Sequence, residues 1–514
     1  MKKIFTLRHI IIFVLAWTTF SLSCVTAQTA FMKVVAADGS GDYNSVQEAV
    51  NNAPKDGTRM LIFVKNGFYK EQVSVPQGAV VSLIGESRDG TIISHDLSHT
   101  MGYDDAAETS TIYVDGFDFY GDNFTTQNTV GPDGGQAECF TVASDRAVLR
   151  HVNLKANQDG IRFFTDSRSY LKNCYIEGTV DYIYDSGIAF IDDCTIKQLR
   201  GGYIVAPGNC FVTVPRAVSR QLTGQARLWG LGLFIRGCRL IYDADKVGER
   251  GSYLGRNWGK TTCAAYFINC YMDKHICPEG WQKMSDTQSI YIGEYGSMDM
   301  DGNPIDLSGR VSWAMTEDPE HMSPSQYIDQ KVVDNIFNME YVFNLADEQL
   351  GGRLGLFEPQ PFVTPTASVT KFTAVDGNLQ WDKSEGAAGY IIYKNGRYLT
   401  NLTETSYTDA DARAGDSYAL RTVSVTGCLG DEVTGTPTGI TNVRAQDIEI
   451  RSTRYGIYWN RKAQATLYSL DGEILISRNG ACLEWGEYPQ GVYILRLVFV
   501  DGTSLTRKIV KNQS

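Results

Sequence analysis

The chain has 514 residues, of which 43% are apolar and 21% charged, a globular balance over a length that suggests roughly two to four domains. Its 50 glycines and 28 tyrosines favour β structure with many tight turns. A formal charge of -12 argues against nucleic acid as the main partner and leaves room for a carbohydrate whose reacting groups are uncharged.

The N-terminus, MKKIFTLRHIIIFVLAWTTFSLSCVTAQ, sets Lys2, Lys3 and Arg8 before an apolar run from Ile10 to Phe20. This is the layout of a secretory signal peptide over 1–27, cleaved after Ala27. Cys24 in SLSC offers a second, lipoprotein-type processing site that would leave a lipid anchor. The apolar run is short for a membrane span and no other segment is long enough. Export to the periplasm, the cell surface or the extracellular space is therefore expected, with no membrane span. Further on, HDLSH (His95 to His99) has a spacing that metal ligands can use, but a solvated loop is the plainer reading and no metal is expected.

A series of similar phrases follows: YGDNFTTQN at Asn123, RHVNLKAN at Asn153, KNCYIEG at Cys174, DDCTIKQ at Cys194, RGCRLIY at Cys238 and INCYMDK at Cys270. The steps are 30, 21, 20, 44 and 32 residues. Irregular repeats of this length, rich in Val, Ile, Phe and Tyr, suggest stacked β coils, and no helical periodicity interrupts Thr111 to Ile204. A mainly β fold with a right-handed parallel β-helix leads, with a β-sandwich or propeller as the alternative. Eleven cysteines in an exported chain would ordinarily suggest disulfides. Here they recur at strand positions where a free Cys acts as a small apolar residue, and there is no CxxC pair.

Within the repeats, Asp159 and Asp181 are 22 residues apart, as are Gln136 and Gln158. If one coil is that long, equivalent residues stack about 4.8 Å apart. One acid in each of two successive strands would then share a face with both glutamines. Two carboxylates this close split their pKa values, which suits acid/base work combined with nucleophilic attack. The bland alternative, surface acids or acids bonded to strand ends, remains open from spacing alone.

Past this region, Pro359, Pro361 and Pro365 mark a linker at 358–365. LQWDKSEGAAGYIIYKNGRYLTNLTETSYTD, with Trp381, a Tyr390 to Tyr393 strand and a KNG turn, resembles a fibronectin type III domain over 366–436, with a spacer role expected. The final segment, 437–514, alternates strands with LDG and VDG turns. It resembles the C-terminal sorting domain of type IX secretion, a small β-sandwich, with a carbohydrate-binding module as the rival reading.

The first domain, 33–357, carries a more specific resemblance. VVAADGSGDYNSVQEAV, NGFYKEQV, GQAECF, NQDGIRF, GTVDYIYDS and YLGRNWG resemble, in order, six phrases of the pectin methylesterase family. The resemblance implies hydrolysis of galacturonate methyl esters to carboxylate and methanol, with no metal or organic cofactor. It implies Asp181 as the nucleophile, Asp159 as the acid/base, Gln136 and Gln158 as oxyanion donors, and Arg256 as the partner that keeps Asp181 ionised. Trp258 would lie under a sugar ring, and Phe163 and Tyr182 are further candidates for ring stacking. The sequence departs from the family at Gly160, Asp185, Asn257 and Glu138, which puts substrate preference and pH optimum in question but removes no proposed catalytic residue. The stretch Asn209 to Ser252 matches no family phrase and reads as a loop excursion.

Methylated pectin is the expected partner and a monomer the expected state. Two rivals are another pectin-active β-helix enzyme, a lyase or galacturonase, and a non-catalytic pectin-binding surface protein. Neither rival enzyme explains paired glutamines together with YLGRNWG. A serine hydrolase has no support, because no G-x-S-x-G phrase occurs.

Overall fold

A computed structural model describes residues 31–103, 105–315, 325–413, 415–437, 450–452, 456–470, 472–485, 488–499 and 504–511. The expected leader, with Cys24 and Ala27, lies outside them. Among the described residues no helix is long and apolar enough to cross a membrane.

The first domain is a right-handed parallel β-helix built from three long sheets of ten, eight and nine strands. Each coil visits them in turn. Ala147–Arg150 belongs to the first sheet, Asn153–Lys155 to the third and Ile161–Phe163 to the second. The next coil repeats this with Arg168–Lys172, Tyr175–Gly178 and Ile183–Asp185, and every strand pairs in parallel with its equivalent. Inward residues of successive coils, such as Phe140, Ile161, Ile183 and Val205, form the core. Each is fully buried, a gain of about 1.5–3 kcal/mol for a large apolar side chain.

The repeated phrases mark one corner of the coil. Asn123, His151, Asn173, Asp193, Gly237 and Asn269 all hold φ between 52° and 63° there, the left-handed region that Asn, Asp and Gly tolerate best. The residue after each turns inward: Phe124, Val152, Cys174, Cys194, Cys238 and Cys270 are all buried. This corrects the sequence register. Asn153 sits opposite Tyr175 and Thr125, so Val152 and Phe124, not Asn153 and Asn123, are the equivalents of the cysteines. All ten described cysteines are free thiols.

The stretch after Asn209 is not a loop excursion. Val212–Val214 and Trp229–Leu231 form an antiparallel pair around the helix Arg216–Thr223. Trp229 joins Phe337 and Phe343, from the helical segment that follows the coils, over the outer face of the first sheet.

Residues 373–437 form two four-stranded sheets. The expected linker contains a short helix, Gln360–Val363, whose Phe362 ring packs 5.7 Å from Tyr120. Tyr398 stacks on Phe63 at 4.7 Å, and Arg150 donates to the Leu429 carbonyl at 3.2 Å. This unit is thus seated on the first sheet of the β-helix, where a free spacer would make no such contacts. Beyond it, residues 450–511 include five strands in one antiparallel sheet.

Candidate active site

Asp159 and Asp181 do not lie within strands. They occupy the corner just before the second sheet, with φ of 58° and 53°. The residue after each begins the inward turn. Asp159 donates its N–H to the Val180 carbonyl at 3.0 Å, and Asp181 donates to Tyr203 at 2.8 Å, so the two acids sit one coil apart at equivalent positions. Gln136 and Gln158 face each other across an isolated parallel bridge, tied by the Ala137 N–H to the Gln158 carbonyl at 3.1 Å. The spacing of 22 residues therefore stacks all four on one edge of the second sheet.

Arg256 comes from the strand Tyr253–Asn257. Its Nη2 donates to Oδ2 of Asp181 at 2.5 Å, and its Nε lies 3.0 and 3.1 Å from the two carboxylate oxygens. Its guanidinium also rests 4.2 Å over the Tyr203 ring, which stacks on Tyr253 at 5.4 Å. Burial pushes the Asp181 carboxyl above the ordinary carboxylate range, and the hydrogen bonds and charge of Arg256 pull it back. Asp159 is pushed well above that range, first by burial and then by the anions of Asp181 and Glu138, with Arg162 and Arg256 opposing. The Arg-paired acid is thus favoured to ionise first and its neighbour to keep a proton, although burial of Asp181 outweighs the lowering that an Arg partner alone would give.

Trp258 is 38% exposed beside this cluster, its ring edge-on to Tyr184 at 5.9 Å. Phe163 and Tyr182 are not available for stacking on a sugar, because both are fully buried. Phe163 shares the inward alternation of Ile161 and lies opposite Val142. Tyr182 turns into the core after the left-handed Asp181, and its hydroxyl donates to Gln198 at 3.2 Å.

Four residues given no role at this site by the sequence also gather at this cluster. Arg162 and Tyr184 alternate outward between inward neighbours and pair in register. Arg162 donates to Asp185 at 2.7 Å, and Ser186 donates to the other oxygen of Asp185 at 2.8 Å, so Asp185 is engaged away from the acid pair. The period-two alternation of IRF and IYD could have exposed Arg162 and Tyr184. Thr109 and His99 reach the site through Glu138, which no local pattern announces. His95 ends the strand Thr91–His95 rather than lying in a loop. Among the described residues no group of three His, Cys, Asp or Glu side chains is gathered as metal ligands.

The corner of the parallel β-helix thus stacks two aspartates and two glutamines beside the strand that carries Arg256. A family model, Pectinesterase, matches residues 32–334, more than half of the chain, and the chain belongs to that family of carboxylic ester hydrolases. A pectinesterase of Petunia integrifolia is 30% identical over 288 residues, covering 54% of this chain and 73% of that one. Pectinesterase/pectinesterase inhibitor 18 of Arabidopsis thaliana is 30% identical over 288 residues, and there the chain spans only 49% of its length. The solved pectin methylesterase from carrot is 29% identical with a TM-score of 0.48, over 57% of this chain and 88% of that one.

Proposed function

We propose that this chain removes methyl groups from galacturonate esters in pectin, releasing methanol. The observation that carries the reading is the Arg256 fork on Asp181 one coil from a carboxyl that burial and two anions dispose to hold its proton. Asp181, ionised, attacks the ester carbonyl. Asp159 gives its proton to the departing methoxide and then takes one from the water that cleaves the acyl-enzyme. Gln136 and Gln158 donate amide hydrogens to the tetrahedral oxyanion, and a donor of this kind is worth about 3 kcal/mol. Trp258 offers the exposed ring on which a sugar stacks.

Membership of the family and the uncharged ester chemistry support methylated pectin as the substrate. The N-terminal basic and apolar run supports export, with an extracellular, periplasmic or surface site of action, and a monomer is the proposed state. The proposed layout is a β-helix over 33–357, a fibronectin-like unit over 366–436 that packs on it, and a sorting-like domain over 437–514. Methanol release from highly methylated pectin, by wild type and by Asp181→Ala, tests the reading. Equal release by both proteins would refute it.

A further inference from the structure

Glu138 is fully buried, two residues after Gln136, at a position where the family phrase is apolar. Its side chain is met from three directions. The Tyr184 hydroxyl donates to Oε1 at 2.6 Å, the Thr109 hydroxyl donates to Oε2 at 2.6 Å, and His99 Nε2 lies 3.2 Å from Oε1. A buried carboxylate is costly unless its oxygens are satisfied, and here both are. The same His99 donates its backbone N–H to the Gln136 carbonyl at 3.0 Å. Tyr184, one coil beyond the strand that follows Asp159, meets the Trp258 ring edge-on. One side chain therefore joins the 99–109 segment, the Gln136 backbone and the support of Trp258.

We propose that Glu138 is a positioning residue of the esterase reaction, locking Tyr184 under Trp258 and the His99–Thr109 segment beside Gln136. This rests on the esterase reading above. Glu138 touches neither substrate nor reacting atoms. It acts through the residues it holds and through its charge. The charged and titratable groups around Asp159 are Asp181, Glu138, Tyr184, Arg162 and Arg256. Those around Glu138 are His99, Tyr184, Arg162, Asp159 and the buried Cys139. Among these, the Glu138 charge favours the protonated form of Asp159. A neutral residue at 138 would let Asp159 lose its proton at lower pH, and the leaving group would lose its donor sooner.

The test compares pH profiles of kcat/KM for methanol release from methylated pectin by wild type, Glu138→Gln, Glu138→Val and Tyr184→Phe. Glu138→Gln keeps an acceptor for the hydroxyls, and Glu138→Val restores an apolar residue, so at least one is expected to fold. Removing the charge should move the alkaline limb down by about one pH unit and leave the acid limb in place. Tyr184→Phe keeps the charge, so its alkaline limb should match wild type while KM rises severalfold as Trp258 loses its anchored support. An alkaline limb unmoved in the folded Glu138 variant, or moved equally in Tyr184→Phe, overturns the proposal. A wild-type protein that releases no methanol overturns the esterase reading instead.

Discussion

Arg256 grips both carboxylate oxygens of Asp181, with Nη2 to Oδ2 at 2.5 Å and Nε at 3.0 and 3.1 Å from the pair. The grip comes from two coils further along the axis, since the strand Tyr203–Pro207 lies between the strand that follows Asp181 and the strand that carries Arg256. The proposed nucleophile is therefore held by the scaffold itself rather than by a loop. Its orientation should survive any change that leaves the coils intact.

Replacing Arg256 by Gln should test this directly. The charge and hydrogen bonds of Arg256 oppose the effect of burial on Asp181, so without them the Asp181 carboxyl climbs further. The sign follows: fewer ionised nucleophiles at a given pH, and an acid limb of kcat/KM displaced to higher pH. A loss of at least about a hundredfold near neutrality is expected from charge and misorientation together. Partial recovery of rate as the pH is raised would distinguish the electrostatic part from the geometric part. A profile with unchanged acid limb would remove Arg256 from the proposed role.

Asp159→Asn should nearly abolish methanol release while leaving the circular dichroism spectrum unchanged, because the amide fits the corner but cannot deliver a proton. Gln158→Ala should cost about a hundredfold or more in kcat with little change in KM, the signature of a donor used mainly in the transition state. Equal losses in KM and kcat would instead mark Gln158 as a ground-state contact.

Much of this arrangement is readable from the sequence because a β-helix is nearly one-dimensional. A separation of 22 residues converts directly into adjacency, which is why Gln136, Gln158, Asp159 and Asp181 are legible before any coordinates. Direction is harder to read than adjacency. Phe163 and Tyr182 look like sugar platforms because they are aromatic and close to the acids, yet the left-handed Asp181 and the alternation of the strand turn both rings inward. The Asn of NLK takes the place of Cys174 in the aligned phrases, yet it pairs with Tyr175, so the phrases align one residue out of register. The Glu138 cluster draws His99 and Thr109 from one long connection and Tyr184 from a strand further along the helix, and no fixed spacing reveals it.

The segment that follows the coils should depend on one buried ion pair. Arg168 and Asp145 are both buried, with Nη2 to Oδ2 at 2.6 Å. Arg168 also donates to the Phe343 carbonyl at 3.0 Å and the Gly355 carbonyl at 2.9 Å, clamping the helix Met339–Gln349 and the chain after it to the first sheet. Arg168→Met would leave Asp145, which burial already pushes upward, with only the longer 3.6 Å contact to Arg146, at a cost of up to about 3–5 kcal/mol. The melting temperature should fall clearly. The double variant Arg168→Met with Asp145→Leu should regain much of the loss, since no unpaired charge is then left inside. A double variant as unstable as the single one would mean that the carbonyl contacts, and not the ion pair, hold this segment.

Acid should destabilise the β-helix through His275, which is fully buried and stacks on Tyr242 with ring centroids 5.0 Å apart. Burial pushes its pKa down to about 4 from an ordinary 6.5. Between those values the unfolded chain binds a proton that the folded chain refuses, so the unfolded state gains as pH falls. The contribution to stability is whole above the unfolded value and is lost progressively on the way down to the folded one. At about 1.4 kcal/mol per pH unit, the full loss is about 3 kcal/mol. His275→Phe keeps a flat ring against Tyr242 and has nothing to titrate. Melting curves recorded near pH 7 and near pH 4.5, a window that spans most of the shift, should show a smaller drop for this variant than for wild type. Parallel drops in the two proteins would place the acid sensitivity elsewhere, though not in the buried carboxyls of Asp145 and Asp159, which burial pushes upward and which acid therefore favours in the folded state.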